Sequence, residues 1–268
     1  MNPLNIAHRG GAGLAPENTL AAFRDAVARG CDGAELDVQL SRDGAVVVHH
    51  DYRLMKDVAR KDGAWLAAPG PRVKDLTLEE LRGFDVGRPR PGSDYALRHP
   101  DLAAVDGERI PTLDEVIAVA KSAPRPFQLL VELKCDLSDD SADPVMLADS
   151  AMAVVEAAGY QKSVIYVGFD WRALLRVKQK SPGTRCWFTT DKLQGDVTPV
   201  LHAIAAAGGE GWFPNYPDLT AETAREARGW DLKLAAWTVN DAAEMQRQTT
   251  LGIDAICTDR PDLLQALK

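Results

Sequence analysis

The sequence predicts an α/β protein built as a (β/α)8 barrel of the TIM type, and three observations carry that expectation. Short apolar segments of strand character alternate with longer segments of helical periodicity along most of the chain, the pattern of a parallel α/β fold. Eight such strands can be counted, each with a helix, the last placed to close beside the first. Chemically capable residues gather at the C-terminal ends of these strands, where such barrels keep their chemistry: His8 and Arg9 on the first, Glu35 and Asp37 on the second, Glu132 and Lys134 on the third, Trp237 on the seventh. The rhythm breaks once, over residues 52 to 111, so the 1–268 chain is expected to be a single barrel with an insertion after its second strand's hairpin.

In order, Leu4 to His8 is the first strand. The first helix follows the Pro16-Glu17-Asn18-Thr19 entry, with Leu20, Phe23 and Val27 on one face and Gly30 as its stop. The second strand alternates Glu35 and Asp37 on one face with Ala34, Leu36 and Val38 on the other. Asp43-Gly44 then supplies a hairpin turn. If those two residues are the whole loop, Arg42 faces Ala45 and Asp37 faces His50; a slip of one residue puts His49 opposite Asp37 instead. The stretch from 52 to 111 is rich in Gly, Pro and charge, with one short helical segment from Leu78 to Leu81, and reads as a lid or small subdomain. A helix from Pro111-Thr112-Leu113 to Lys121 restores the alternation. The remaining strands are Leu129 to Lys134, Val164 to Phe169, Arg185 to Phe188, Gly211 to Pro214, Leu234 to Thr238 and Ala255 to Thr258. Their helices open at Asp143-Pro144, Asp170, Asp196, Thr220, a capping box at Asp241 and Glu244, and Pro261.

A hydrophobic fraction of 46% with 26% charged residues is ordinary for a folded enzyme. The net charge of −8 argues against a general nucleic-acid binder, so any anionic small molecule must be attracted locally, by a metal or a few Lys and Arg. Cys31, Cys135, Cys186 and Cys257 lie far apart with no C-x-x-C spacing and read as isolated apolar residues in a reducing compartment. No signal-peptide pattern opens the chain and no run of 18 apolar residues exists; the expected location is cytoplasmic, with no membrane span.

The most informative pair is Glu35 and Asp37. Two carboxylates on one strand face repel each other and resist burial, yet this strand follows a helix and should be interior. A hard divalent cation bound through oxygen is their natural partner. His49, on the opposite strand face from His50, reads as packing; His99 and His202 read as solvated. Asp51, Glu17 and Asn18 are better suited to orienting or capping than to ligation, and Trp237 fits either the barrel core or the wall of a substrate pocket.

Taken together, His8-Arg9-Gly10 with Pro16-Glu17-Asn18-Thr19, Glu35-x-Asp37, His50-Asp51, Glu132-x-Lys134 and Trp237-Thr238-Val239-Asn240 resemble the glycerophosphodiester phosphodiesterase family, over nearly the whole chain. The turn at Asp43-Gly44 and the closing Cys257-Thr258-Asp259-Arg260-Pro261 are similar too. The resemblance implies hydrolysis of glycerophosphodiesters to an alcohol and glycerol 3-phosphate, with Glu35, Asp37 and Glu132 as ligands of one divalent cation and His8 and His50 as the acid–base pair. An all-oxygen ligand set points to Mg2+ or Ca2+. Arg9 and Lys134 would contact the non-bridging phosphate oxygens. The residues leave open whether water attacks directly or a glycerol hydroxyl first forms a cyclic phosphate; the resemblance implies the second. The segment from Arg88 to Glu108 is longer and richer in proline and charge than the resemblance leads one to expect, which bears on the alcohol side of the substrate. Three rivals are weighed at this level, and against one of them, a carboxylate-metal barrel doing enolisation, stand His8-Arg9 at the first strand and the absence of a strand-end lysine base beyond Lys134. A lipid-cleaving barrel of phospholipase C or sphingomyelinase D type should carry an apolar or aromatic rim, whereas Tyr52, Trp65, Phe84 and Tyr95 are well spread. A non-catalytic phosphodiester-binding barrel should have a broken constellation, and no member is missing.

Overall fold

A computed structural model describes residues 2–139 and 143–268. From the N-terminus, β1 (Leu4–Ala7) leads through a short turn into α1 (Leu20–Ala28), then β2 (Gly33–Leu40) and β3 (Val46–Val48). The Thr19 side chain accepts from the Ala22 N–H and starts α1 as an N-cap should. The inserted stretch follows, with β4 (Arg60–Lys61), β5 (Ala64–Trp65), α2 (Leu78–Arg82) and α3 (Asp94–Arg98). Regular alternation resumes with α4 (Leu113–Lys121), β6 (Gln128–Leu133), α5 (Pro144–Ala157), β7 (Val164–Gly168), α6 (Trp171–Lys180), β8 (Cys186–Thr190) and α7 (Thr198–Ala206). It ends with β9 (Gly211–Pro214), α8 (Ala221–Gly229), β10 (Lys233–Ala236), α9 (Ala242–Thr250), β11 (Ala255–Thr258) and α10 (Pro261–Ala266).

Eight of these strands form a closed parallel barrel in chain order, because β1 pairs with β11 on one side and with β2 on the other. The period-2 pattern decides what each face meets. On β2, Ala34, Leu36 and Val38 point outward into the main core, with Phe23 of α1 and Val116 and Ile117 of α4. Inside the barrel lie Ile6, Leu130, Ile165, Val167, Trp187, Phe213, Ala235, Ala255 and Cys257. Glu35 and Asp37 occupy the inward positions of β2 and are nevertheless 2% and 1% exposed, so their charges must be met inside the molecule. The expected box at Asp241 and Glu244 is only half formed. Asp241 accepts from the Glu244 N–H, but the Glu244 carboxylate turns to Arg247 and Gln248. At α4 Glu115 Oε2 accepts from both the backbone N–H and the hydroxyl of Thr112.

Two expectations are corrected. The hairpin register differs by one residue from that of a two-residue loop: Val38 pairs with Val48 and Leu40 with Val46, so Asp37 stands across from His49, not His50. The loop is Arg42-Asp43-Gly44, closed by Ser41 bonds to Ala45 and Gly44, with Gly44 at φ +82°. That is a three-residue turn ending in a left-handed glycine. Asp43 is drawn into it because its carboxylate accepts from the Ser41 hydroxyl and from the N–H of Leu78, the first residue of α2. The inserted stretch is also more ordered than its composition suggests. Besides the expected helix α2, it holds the β4–β5 hairpin turning on Asp62-Gly63, both at positive φ, and the extra helix α3. These elements share an apolar cluster of Leu54, Val58, Val73, Leu81, Phe84 and Tyr95 with Val47 of β3.

Candidate active site

The site grows from the end of β1. His8, Arg9 and Gly10 form a tight turn in which Arg9 takes a left-handed conformation at φ +50° and donates its backbone N–H to Glu35 Oε2 at 3.1 Å. Gly10, at φ +83°, sits where an added Cβ would stand 2.7 Å from the Ala22 Cβ, so this approach of the turn to α1 requires glycine. The Arg9 side chain then lies buried between acids, with Nη1 3.0 Å from Glu17 Oε1 and Nε 3.4 Å from Asp37 Oδ2. Burial alone would lower its pKa, but Glu17, Asp37, Glu35 and Asp259 outweigh that and raise it.

Glu35, Asp37 and Glu132 converge, each offering a carboxylate oxygen within 4.8 Å of the others. Adjacent registers of β2 and β6 bring this about, since Asp37 pairs with Glu132 across the parallel ladder. The two buried β2 acids are then driven apart electrostatically. Burial pushes the Glu35 carboxyl well up, with repulsion from Asp37 and Glu132 adding to it. Burial pushes Asp37 the same way, but His50, Arg9 and Lys134 and a bond from Asn18 Nδ2 at 2.8 Å reverse the sign and hold it below the usual carboxylate range. Lys134 Nζ lies 3.0 Å from Glu132 and 3.8 Å from Asp37; these charges outweigh its burial and raise its pKa. Glu35 Oε1 is buried and has no hydrogen-bond partner. An unpartnered inward carboxylate oxygen beside two others, all hard donors, fits a divalent cation.

Each histidine is held through Nδ1 by an aspartate. His8 Nδ1 lies 2.6 Å from Asp259 Oδ1, and its Nε2 is 3.8 Å from Glu35 Oε2. His50 Nδ1 lies 2.7 Å from Asp51 Oδ1. Asp259 is fixed in turn by Asn240, whose Nδ2 donates to its Oδ2 at 2.6 Å and whose Oδ1 accepts its backbone N–H. Burial would raise the Asp259 carboxyl, but the charge and hydrogen bond of His8, then Asn240 and Arg9, bring it down to about 2. An aspartate that stays ionised at Nδ1 holds the ring's orientation and leaves Nε2 for chemistry.

The cavity at the barrel mouth, about 160 Å³, is lined by His8, Arg9, Glu35, His50, Glu132, Lys134 and Trp237, and also by Phe169, Thr189, Phe213 and Thr238. The structure thus gathers those seven sequence-selected residues around one space, with Asp37 buried behind them against Arg9 and Lys134. Of the aromatic wall only Trp237 is legible in the sequence, and Phe169 and Phe213 were not foreseen: Phe169 meets Trp237 edge-on at 5.4 Å, and Trp237 Nε1 donates to the Phe213 carbonyl. Nor were the roles of Asp259, Asn240 and Tyr95. Tyr95, on α3 of the insertion, donates its hydroxyl to Glu17 Oε2 at 2.6 Å, joining the insertion to Arg9 through one carboxylate. Glu17 stays ionised because Arg9 and Tyr95 overcome the cost of its burial. His49 is buried with its Nε2 unpartnered, and it does not line the cavity.

A parallel barrel with an acidic trio, two cations and two aspartate-held imidazoles at its mouth is equipped for phosphoryl chemistry, and likeness to known proteins narrows the class. The model of the glycerophosphoryl diester phosphodiesterase family matches residues 8–263. A glycerophosphodiester phosphodiesterase of Caldanaerobacter subterraneus subsp. tengcongensis is 30% identical over 98% of this chain and 97% of that protein. Another, of Bacillus subtilis, is 28% identical over 99% of this chain and 86% of that one. A crystal structure from Silicibacter pomeroyi, provisionally assigned as a glycerophosphoryl diester phosphodiesterase, superposes with a TM-score of 0.91 at 31% identity, covering 98% of this chain and 91% of that one. The chain belongs to the glycerophosphoryl diester phosphodiesterase family.

Proposed function

We propose that this protein hydrolyses glycerophosphodiesters to an alcohol and glycerol 3-phosphate, with one divalent cation held by Glu35, Asp37 and Glu132 and with His8 and His50 as the acid–base pair. The observation that carries this reading is the presentation of two imidazoles, each held at Nδ1 by an aspartate, to one cavity shared with Glu35 and Glu132. When bound, Mg2+ or Ca2+ would neutralise phosphate charge and polarise a hydroxyl. The protein's own groups do the rest. Arg9 and Lys134 present positive charge at the cavity wall and meet the non-bridging oxygens. One imidazole Nε2 accepts the proton of the attacking hydroxyl, water or the substrate's own, and the other protonates the departing alkoxide, so the pair is charge-balanced over the step. Asp259 and Asp51 steady whichever imidazolium forms. Trp237, with Phe169 and Phe213, offers an apolar wall to the carbon skeleton of the glycerol.

We place residues 52–111 as a subdomain inserted into a single barrel. No described helix is long and apolar enough to cross a membrane, and four buried thiols without disulfides fit a cytoplasmic setting. The test is turnover of glycerophosphocholine and glycerophosphoethanolamine with and without chelator. Activity should vanish on chelation and return with Mg2+ or Ca2+. Full activity in protein shown by elemental analysis to be metal-free would overturn the metal assignment, and no turnover of any glycerophosphodiester would overturn the function.

A further inference from the structure

The hairpin ladder ends at Val48, and the last backbone bond there runs from the His49 N–H to the Asp37 carbonyl at 2.9 Å. The chain must then bend sharply for His50 to reach the cavity, since the ladder alone would set His49 opposite Asp37. A single side chain sits at this bend. Gln39 continues the inward face of β2 two residues beyond Asp37 and is buried, at 7% exposure. Its Nε2 lies 2.7 Å from the His49 carbonyl oxygen, 3.2 Å from that of His50 and 3.0 Å from that of Asp51. Among the described residues no other donor reaches these three oxygens.

We infer that Gln39 is a positioning residue for His50: its amide gathers three successive carbonyls and so fixes the curl that carries His50 and its Asp51 partner into the site. Three carbonyl dipoles aimed at one point repel one another, and an extended chain would splay them along alternate sides. An NH2 group with two hydrogens, one of them shared, is the smallest donor that can hold all three. Asp37 and Gln39 thus shape the two ends of the same bend, Asp37 through its carbonyl and Gln39 through its side chain. The sequence signal is the Glu35-x-Asp37-x-Gln39 alternation, in which the third polar residue is buried like the first two.

This inference rests on His50 being one of the acid–base pair, and a double-mutant cycle separates the two claims. Gln39→Met keeps length and removes the donor. It should lower kcat about 10- to 100-fold, the scale of a displaced catalytic group, while KM and calorimetrically measured Mg2+ affinity stay within about threefold of the parent. In a His50→Ala background the same change should cost no more than about twofold, because the group it positions is gone. Equal losses in both backgrounds, or a loss of cation affinity matching the loss of kcat, would overturn the positioning role. A fully active His50→Ala protein would instead overturn the assignment of His50 itself. Should Gln39→Met fail to fold by circular dichroism, Gln39→Asn, which keeps an amide on a shorter arm, enters the same cycle with the same criteria.

Discussion

At the scale of single residues, the two histidines and the acidic trio should make separable contributions. His8→Ala and His50→Ala should each leave Mg2+ binding intact, because neither ring belongs to the carboxylate cluster, and each should lower kcat at least about 10²-fold, the usual worth of a positioned acid or base. Calorimetry beside steady-state kinetics reads both quantities, and loss of cation binding in either variant would show that the imidazole is a ligand. Glu35 gives the pH dependence. Its pKa without a cation is raised by burial and by Asp37 and Glu132, so below that pKa a cation must displace a proton. Affinity should therefore climb as pH rises and level off once Glu35 is ionised. More proton should be released on binding at the acid end of the working pH range than at the alkaline end, measured by calorimetry in buffers of different ionisation enthalpy. The same sign governs stability. A raised folded-state pKa favours the apo protein at low pH, and that contribution is lost as pH rises through it, so the gain in Tm on adding Mg2+ should grow with pH. The candidate ligands stand out in the sequence because two acids on one strand face are chemically conspicuous. Asp259 and Asn240 do not, since a carboxylate 251 residues from the histidine it holds is brought there only by barrel closure.

Among the elements, the hairpin and the insertion show where local reading reaches its limit. Asp43-Gly44 marks the turn, but the loop length depends on what else Asp43 binds, and its partner Leu78 lies 35 residues away. His50 still enters the cavity under the shifted register, because the ladder stops at Val48 before the error can reach it. In the insertion, the composition of Gly, Pro and charge hides a small core, since its apolar residues are spaced by turns rather than by a helix or strand period. Its segment from Arg88 to Glu108 packs against the loops that follow β1 and β11: Tyr95 bonds Glu17, the Ala103 N–H bonds the Leu14 carbonyl, and Asp101 pairs with Arg260. Replacing it with a short Gly-Ser linker should change kcat/KM unequally across alcohol head groups while cation affinity holds. Equal losses, or none, would make it only scaffold. Tyr95→Phe isolates the bond to Glu17. It should cost about 1.5 kcal/mol of stability, the net worth of one such bond to a charged group at the low end, measurable by urea unfolding, with kcat reduced only severalfold because Arg9 keeps its carboxylate partners.

For the whole molecule, the barrel is legible because its construction repeats: every strand and helix follows the same alternation, so the segments corroborate one another. The insertion and the long-range pairs that orient the site have no such repetition. One property of the assembled barrel has a practical use. All four cysteines are buried without disulfides, and burial raises their thiol pKa values, Cys31 to about 11, Cys135 and Cys186 to about 12, and Cys257 well above the usual range. Thiolate is the reactive form, so the folded protein should be nearly silent to a maleimide or to Ellman's reagent, whereas the denatured chain should titrate all four thiols. Rapid labelling of the native protein would show that one of them is exposed by opening motions. A silent native background makes an added thiol a clean optical reporter. Leu97, 70% exposed on α3, is two residues from Tyr95, and a fluorophore attached through Leu97→Cys would follow movement of the insertion during turnover with every native cysteine left in place.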